Sequence, residues 1–260
     1  NASSDGSAAA VRNLPFKIPN FQLIENKENL GFAKGNNVGV KEASGRYVLF
    51  LNPDTIVESN TLLCMICFMD ENPKVGAATC KLRLPNGLLD DAAHRGFPTP
   101  WNAFCHFFGI GRIFKKSRWF SGYTLGYLST DNTHEIDALS GAFMIVRRVA
   151  GEEVGWWDED YFWYGEDIDF SYRLKNGGWR IMFVPDVSIL HYKGISSGVK
   201  KHSRELSVAT SETRKRSARA SIEAMKIFYK KHYVGKYSYP ILWLVWLGIW
   251  ILERYRLLFW

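Results

Sequence analysis

The chain has 260 residues, of which 47% are hydrophobic, 15% aromatic and 23% charged, with a formal net charge of +7. That balance excludes a disordered chain and a polytopic membrane protein, and the length suits one sizeable α/β domain with a small appendage. The charge is local: eleven Lys and Arg lie between positions 200 and 236 against only Glu205, Glu212 and Glu223, so the remainder of the chain is close to neutral.

The first ten residues are small and polar and are expected to form a loop, with no signal-peptide pattern. Residues 21–25 alternate apolar and polar and are expected to form a strand. A helix is expected to open within the Asn- and Gly-rich stretch 26–37 and to run to Ala43, stopped by Gly45. Residues 47–51, Tyr-Val-Leu-Phe-Leu, are the strongest strand signal, a β-prone apolar run suited to burial on both faces. The run breaks on Asn52-Pro53-Asp54. A helix over 61–71 and a strand over 75–82 follow, and this alternation points to a doubly wound α/β sheet. Residues 83–135 read as a long irregular connection, the kind that often binds ligands. A strand at 142–146, a helix opening at Gly165, and two strands at 179–184 and 187–191 complete the body. Residues 203–233 read as a basic helix, and 241–252 is an uninterrupted apolar run.

Cys64 and Cys67 have CxxC spacing inside the apolar helix, but no second pair with zinc-site spacing accompanies them. A buried structural role is expected, and with no disulfide framework a reducing compartment fits.

Four constellations can carry chemistry. Asn52-Pro53-Asp54 ends the buried strand, where open α/β sheets bind ligands; a carboxylate there can hold a divalent cation on a diphosphate, or the triplet is simply a turn. Residues 156–169 interleave carboxylates with Trp156, Trp157, Tyr161, Phe162, Trp163 and Tyr164. Glu166, Asp167 and Asp169 fall in the first turn of a helix, where the helix dipole alone accounts for some acids, while an acid beside apolar rings is also a base with a tuned pKa. His191 closes the last strand and is either a satisfied structural histidine or a metal ligand beside the glycine- and serine-rich stretch 193–198. Asn29, Gly31 and Asn36, at a helix start, can bring backbone N–H groups to phosphate or ribose; the stretch matches neither the Walker lysine pattern nor the dinucleotide fingerprint.

In their order and spacing these pieces, together with Asn1-Ala2-Ser3-Ser4-Asp5-Gly6-Ser7 and Ser140-Gly141-Ala142-Phe143, resemble the family 2 glycosyltransferases of the GT-A fold, and most of all the bacterial rhamnosyltransferase-like branch. The resemblance covers about residues 1–200. It implies a mixed, mainly parallel sheet flanked by helices and an inverting transfer with a divalent cation, Mg²⁺ or Mn²⁺, as cofactor. It also implies a further strand and an acid ahead of Asn1, and this chain is expected to need that strand for stability or activity. By the same resemblance Asp5 meets the nucleotide base or its neighbourhood, Asn52 and Asp54 stand at the family's metal-binding acids with Asp54 the preferred metal ligand of the two, and His191 is a further ligand. Asp167 is the general base, and Glu166 and Asp169 shape the acceptor site or support the base; Trp163, in the same aromatic run, is a further candidate for the acceptor site. Asn52 departs from the pattern, being neutral where an acid is usual, and weakens the expected metal site.

The apolar run is too short for an ordinary span. Trp243, Trp246 and Trp250 recur at helical spacing, and with the basic helix before them residues 237–260 read as an anchor on an anionic membrane surface. A buried core helix, a dimer contact in a homo-oligomer and a true span are the alternatives. The expected organisation is a catalytic domain at 1–200, a basic helical segment at 201–236 and the apolar tail at 237–260. The expected activity is transfer of a sugar, rhamnose from dTDP-rhamnose by preference, from a nucleotide-sugar donor to a polyprenyl-diphosphate-linked or saccharide acceptor in cell-surface polysaccharide synthesis. The expected place is the cytoplasmic face of the cell membrane, peripheral or monotopic. A catalytically inactive nucleotide-sugar- or partner-binding module is the alternative, and a nucleic-acid partner is not expected.

Overall fold

In the computed structural model the described residues are 1–16, 18–193 and 211–259. They form a mixed sheet covered on both faces by helices. In chain order the elements are α1 (Ser7–Arg12), α2 (Gly31–Glu42), β1 (Tyr47–Leu51), β2 (Thr55–Val57), α3 (Thr61–Glu71), β3 (Val75–Arg83), α4 (Pro100–Phe107), α5 (Ile110–Ile113), β4 (His134–Glu135), β5 (Phe143–Arg147), α6 (Arg148–Val154), α7 (Glu166–Asn176), β6 (Arg180–His191), α8 (Ser211–His232) and α9 (Tyr239–Phe259).

The strands are ordered β1-β5-β3-β6-β2, with β4 also on β6. β3 and β6 pair in parallel, and β5 runs antiparallel to both β1 and β3. β1, β3 and β6 therefore share one direction, and their carboxyl ends lie at the same end of the sheet as the start of β5. One core cluster includes Phe50, Val146, Trp157, Phe170 and Phe183; the other includes Met65, Met69, Leu82, Phe143 and Ile189. β3 is buried at nearly every position because helices cover both of its faces.

Several expectations are corrected. Residues 21–25 form no strand: Phe21 and Ile24 are exposed, and no ladder joins them to β1, without which an extended segment has no partner for its backbone groups. The two strands expected at 179–184 and 187–191 are one. Pro185 falls where the pairing jumps from Cys80–Val184 to Lys81–Ser188, an irregularity that lets the strand continue past a residue without an N–H. β2 went unread because three residues carry too little pattern. The connection 83–135 holds α4, α5 and a 3-10 turn at Asp91–Ala93. Cys64 and Cys67 are exposed on α3 rather than buried; Met65 and Met69 make that helix's buried face.

α8 and α9 are not loose appendages. Tyr172 of α7 shares a core cluster with Ile222, Phe228, Tyr229 and Tyr233 and with Leu242 and Ile249 of α9. Lys226 meets Glu253 at 3.0 Å, and Lys231 meets Asp158 and Asp160 at 2.5 and 2.6 Å, so part of the basic segment is committed to the body. Trp246 packs into that cluster while Trp243 and Trp250 stay exposed, so the three tryptophans do not share one free face. Among the described residues no helix is long and apolar enough to cross a membrane.

Candidate active site

Two charged clusters sit at the shared end of β1, β3 and β6. In the first, the turn after β1 carries Asn52 and Asp54, and its backbone is fixed on both sides: Asn52 N–H donates to Ala142 O at 3.0 Å and Tyr192 N–H donates to Asp54 O at 2.9 Å. β2 then pairs with β6, Thr55 opposite His191, which brings the Asp54 carboxylate to the imidazole. Asp54 Oδ1 lies 3.5 Å from His191 Nε2, and Asp90 Oδ2 lies 2.8 Å from His191 Nδ1. Asp90 is fully buried; it accepts from Ala92 N–H at 2.9 Å and also bonds Lys193.

Burial works against charge on Asp90, but His191, Lys193 and the Ala92 N–H outweigh it and hold its carboxyl well below the usual range. Burial alone would lower His191; the hydrogen bonds and charges of Asp54 and Asp90 reverse that and push it up to about 9. His191 is therefore an imidazolium between two carboxylates. These groups fit a divalent cation. Asp90 fixes the imidazole through Nδ1 and leaves Nε2 facing the Asp54 carboxylate, the arrangement that supports a metal-bound histidine from behind. A cation there has to displace the Nε2 proton. Among the described residues no three His, Cys, Asp or Glu side chains make a closed metal cage, so remaining ligands would come from a diphosphate or water.

The second cluster is built on the amino end of α7. Gly165 takes φ +84°, and a Cβ there would lie 2.9 Å from Ala224 Cβ of α8. Its glycine thus serves both the turn and the close approach of α8. Glu166, Asp167 and Asp169 follow in the first turn, as expected. Asp167 Oδ2 accepts from Arg95 Nη2 at 2.6 Å, and Asp167 Oδ1 accepts from Ile168 N–H at 2.8 Å. The same Arg95 nitrogen donates to Leu139 O at 3.1 Å, which ties the pair to the approach of β5. Glu166 is buried beside them with Oε2 unpartnered. Burial first, and then the neighbouring Asp167 charge, pushes Glu166 up to about 8, against the opposing pull of Arg95.

Asp169 does not join them. It is fully buried and its carboxylate is consumed by Arg173 Nε at 2.7 Å, His232 Nε2 at 2.7 Å and the Tyr161 hydroxyl at 3.3 Å. It fastens α8 to α7, which leaves no oxygen for an acceptor. Trp163 is half-buried and stacks on Tyr164 with centroids 5.3 Å apart.

The Asn-rich stretch is mainly a tether. Gly31, at φ +79°, lets α2 approach the Phe162 carbonyl so closely that a Cβ would collide with it, and Phe32 N–H donates to that carbonyl at 2.9 Å. Asn29 Oδ1 accepts from Gly31 N–H at 3.0 Å, and Asn36 Nδ2 donates to Phe32 O at 2.9 Å. Gly31 and Asn36 also line an open groove of about 340 Å³ with Asn1, Asn26 and Gly35, which has room for part of a ligand. Asp5 is exposed; its carboxylate accepts from Ser7 N–H at 3.0 Å, and among the described residues no hydrogen bond links it to either cluster.

Asp90 and Arg95 escaped the sequence reading, and Asn37, inside the Asn-rich stretch, has a tethering role there. Asn37 joins α2 to the aromatic run, donating to Trp157 O at 2.9 Å and accepting from Trp157 N–H at 3.2 Å. The stretch 194–198, expected to close over phosphates, lies outside the described residues.

Comparison with known proteins decides the family. The model of the glycosyltransferase like family 2 matches residues 1–222. The chain belongs to this family. It is similar to the N-acetylglucosaminyl-diphospho-decaprenol L-rhamnosyltransferase of Mycobacterium tuberculosis (strain ATCC 25618 / H37Rv), 30% identical over 210 residues, or 76% of this chain and 66% of that protein. It is also similar to the poly-beta-1,6-N-acetyl-D-glucosamine synthase of Staphylococcus aureus (strain COL), 30% identical over 190 residues, or 70% of this chain and 40% of that protein. The chain thus spans just under two thirds, and well under half, of these two relatives. Among solved structures, the Pyrobaculum calidifontis mannosyltransferase in complex with GDP-Man and Mn²⁺ aligns with a TM-score of 0.50 at 17% identity, over 98% of this chain and 73% of that one. This likeness supports the fold: the family 2 chain has the mixed α/β architecture of the GT-A glycosyltransferases.

Proposed function

We propose that this chain is an inverting glycosyltransferase that moves a sugar, rhamnose by preference, from a nucleotide-sugar donor to a lipid-linked or saccharide acceptor in cell-surface polysaccharide synthesis. The observation that carries the reading is the meeting of Asp54 with His191, backed by Asp90, at the same sheet end as the Glu166–Asp167 pair. The mycobacterial relative, a rhamnosyltransferase named for a diphospho-decaprenol, supports the acceptor class and the sugar.

Asp54 and His191 would hold a divalent cation, Mg²⁺ or Mn²⁺, which when bound neutralises charge on the departing nucleoside diphosphate. Asp90 keeps the imidazole oriented. The groove along Gly31 and Asn36 would take part of the donor. Asp167 removes the acceptor hydroxyl proton. Arg95 fixes that carboxylate and must turn or share its bond as the hydroxyl arrives. Glu166, a protonated acid at neutral pH, presents a hydrogen-bond donor instead of a second negative charge. A single displacement from the face opposite the diphosphate inverts the anomeric carbon and needs no enzyme nucleophile. Work at the cytoplasmic face of the membrane, with the exposed side of α9 against anionic lipid, fits a lipid-linked acceptor.

One observation favours the alternative, a binding module without transfer: both oxygens of Asp167 already have partners. Calorimetric titration of nucleotide sugars with and without Mn²⁺, followed by turnover with any donor that binds, separates the readings. Metal-dependent binding with turnover is expected; binding without turnover on any acceptor would install the alternative.

A further inference from the structure

The stretch from Ala92 to Thr130 holds no Asp or Glu, yet it carries Arg112, Lys115, Lys116 and Arg118. All four are exposed, and among the described residues none of them has an ion-pair partner. Around them the surface is apolar. Phe104, Phe107 and Phe114 are exposed, and Phe108, Ile113 and Trp119 are 72%, 76% and 78% exposed.

These rings are not loosely hung. Trp101 Nε1 donates to Trp119 O at 2.7 Å, and Ser121 Oγ donates to Lys115 O at 2.6 Å. Phe104 packs between Trp101, on which it stacks, and Phe108, which is tilted to it, at 5.7 and 4.7 Å between centroids. The Tyr229 hydroxyl of α8 donates to Pro98 O at 2.7 Å and anchors the root of α4. A protein surface that fixes large apolar groups in water, unburied, is built to be covered.

We propose that the α4–α5 segment and the turn after it, residues 101–119, form a second bilayer contact beside α9, seating aromatic rings at the headgroup level of an anionic membrane. The charge decides the occupant. Aromatic and aliphatic side chains rimmed by Lys and Arg, with no acid, match an interface of anionic lipid, in which rings enter the acyl boundary and cations meet headgroups. A symmetric contact with a second copy would bring two sets of these four cations into one interface, with no acid of the stretch to pair them, a like-charge cost that a lipid surface does not carry. The patch adjoins the helix proposed above to meet lipid: α4 touches α9, whose Trp243, Leu244, Trp250 and Ile251 are exposed. The inference extends the membrane reading of α9 but rests on its own residues. It also has a consequence for the reaction. The chain that enters this patch carries Arg95, bonded to Asp167, so docking would bring a lipid-borne hydroxyl toward the base.

The test is vesicle flotation of the full chain. Wild type is compared with the triple variant Phe108→Ser, Ile113→Ser, Trp119→Ser, with Lys115→Glu/Lys116→Glu, and with Trp243→Ser/Trp250→Ser in α9. Vesicles are phosphatidylcholine with phosphatidylglycerol, or phosphatidylcholine alone. Circular dichroism and donor binding monitor the fold, which the highly exposed positions should leave intact. The expected result is that the triple and the charge-reversal variants each lose about tenfold or more of their affinity for the anionic vesicles with α9 unaltered. Loss confined to the α9 variant would overturn the second contact and leave the first. Equal binding by all four proteins would overturn both. Lipid-independent self-association that the triple variant abolishes, with its vesicle binding unchanged, would give the patch to a second copy. Donor binding and turnover in detergent are read separately, so a failed membrane contact is not mistaken for a failed transferase.

Discussion

The two charged clusters at the carboxyl end of the sheet balance their charges differently. Around His191, two carboxylates face two cations, His191 itself and Lys193, and the cluster is neutral as folded. Around Asp167, two carboxylates share one guanidinium, and the surplus is relieved by keeping Glu166 protonated. The first arrangement can trade a proton for a metal. The second holds a carboxylate and a neutral acid side by side, different roles set by environment. The contrast predicts that damage to the second cluster falls on the chemical step and damage to the first on metal affinity.

The largest expected effect is on transfer. Asp167→Asn keeps the size and much of the hydrogen bonding to Arg95 but removes the base, so turnover should fall about 10²–10⁴-fold with metal-dependent donor binding retained. Steady-state rates beside calorimetry check it, and a variant that loses donor binding in step with rate would erase the proposed division. Next comes Arg95→Ala. The buried guanidinium is the partner of Asp167, and its loss strands a carboxylate beside Glu166, costing about 3–5 kcal/mol of stability. Chemical denaturation reads this directly; a cost below about 1 kcal/mol would mean that water already reaches the pair. Third, Asp90→Asn should weaken Mn²⁺ binding about 10–100-fold without touching a metal-ligating atom. Electron paramagnetic resonance titration of free Mn²⁺ measures it, and unchanged affinity would reduce Asp90 to a structural cap.

The placement of Asp54 and His191 was legible because one follows and the other ends a strand whose pattern is strong. The placement of Asp167 was legible through its position after a glycine in an aromatic run. Asp90 and Arg95 were not. They lie in a connection without periodicity, and only the pairing of β3 with β6 brings that connection under His191. Asp169 misled for the opposite reason: its spacing from Asp167 puts it on the same helix turn, but nothing in a linear sequence says that His232 will arrive from α8 to claim it. For the fold, β1, α3 and α7 were read from local pattern, and the extended segment 21–25 was misread because alternation reports a capacity to pair, not the presence of a neighbour.

The smallest expected effect sharpens the comparison most, because it isolates one proton. Burial raises Glu166 from an ordinary 4.5 to about 8, so between these values the folded chain holds a proton that the unfolded chain has released. With more protons bound in the folded state, the contribution of Glu166 to stability is complete below pH 4.5 and declines as pH rises toward 8. Glu166→Gln removes that decline. The difference between wild type and variant in denaturant midpoint should therefore grow in the variant's favour from pH 5 to pH 8, by about 1–2 kcal/mol once water entry and relaxation have absorbed part of the burial penalty. Titrating groups remote from Glu166 are common to both proteins and cancel in the difference. Parallel pH profiles would show that Glu166 is already ionised at pH 5. Arg95 would then serve both acids, and the two clusters would be alike in holding charged carboxylates against cations.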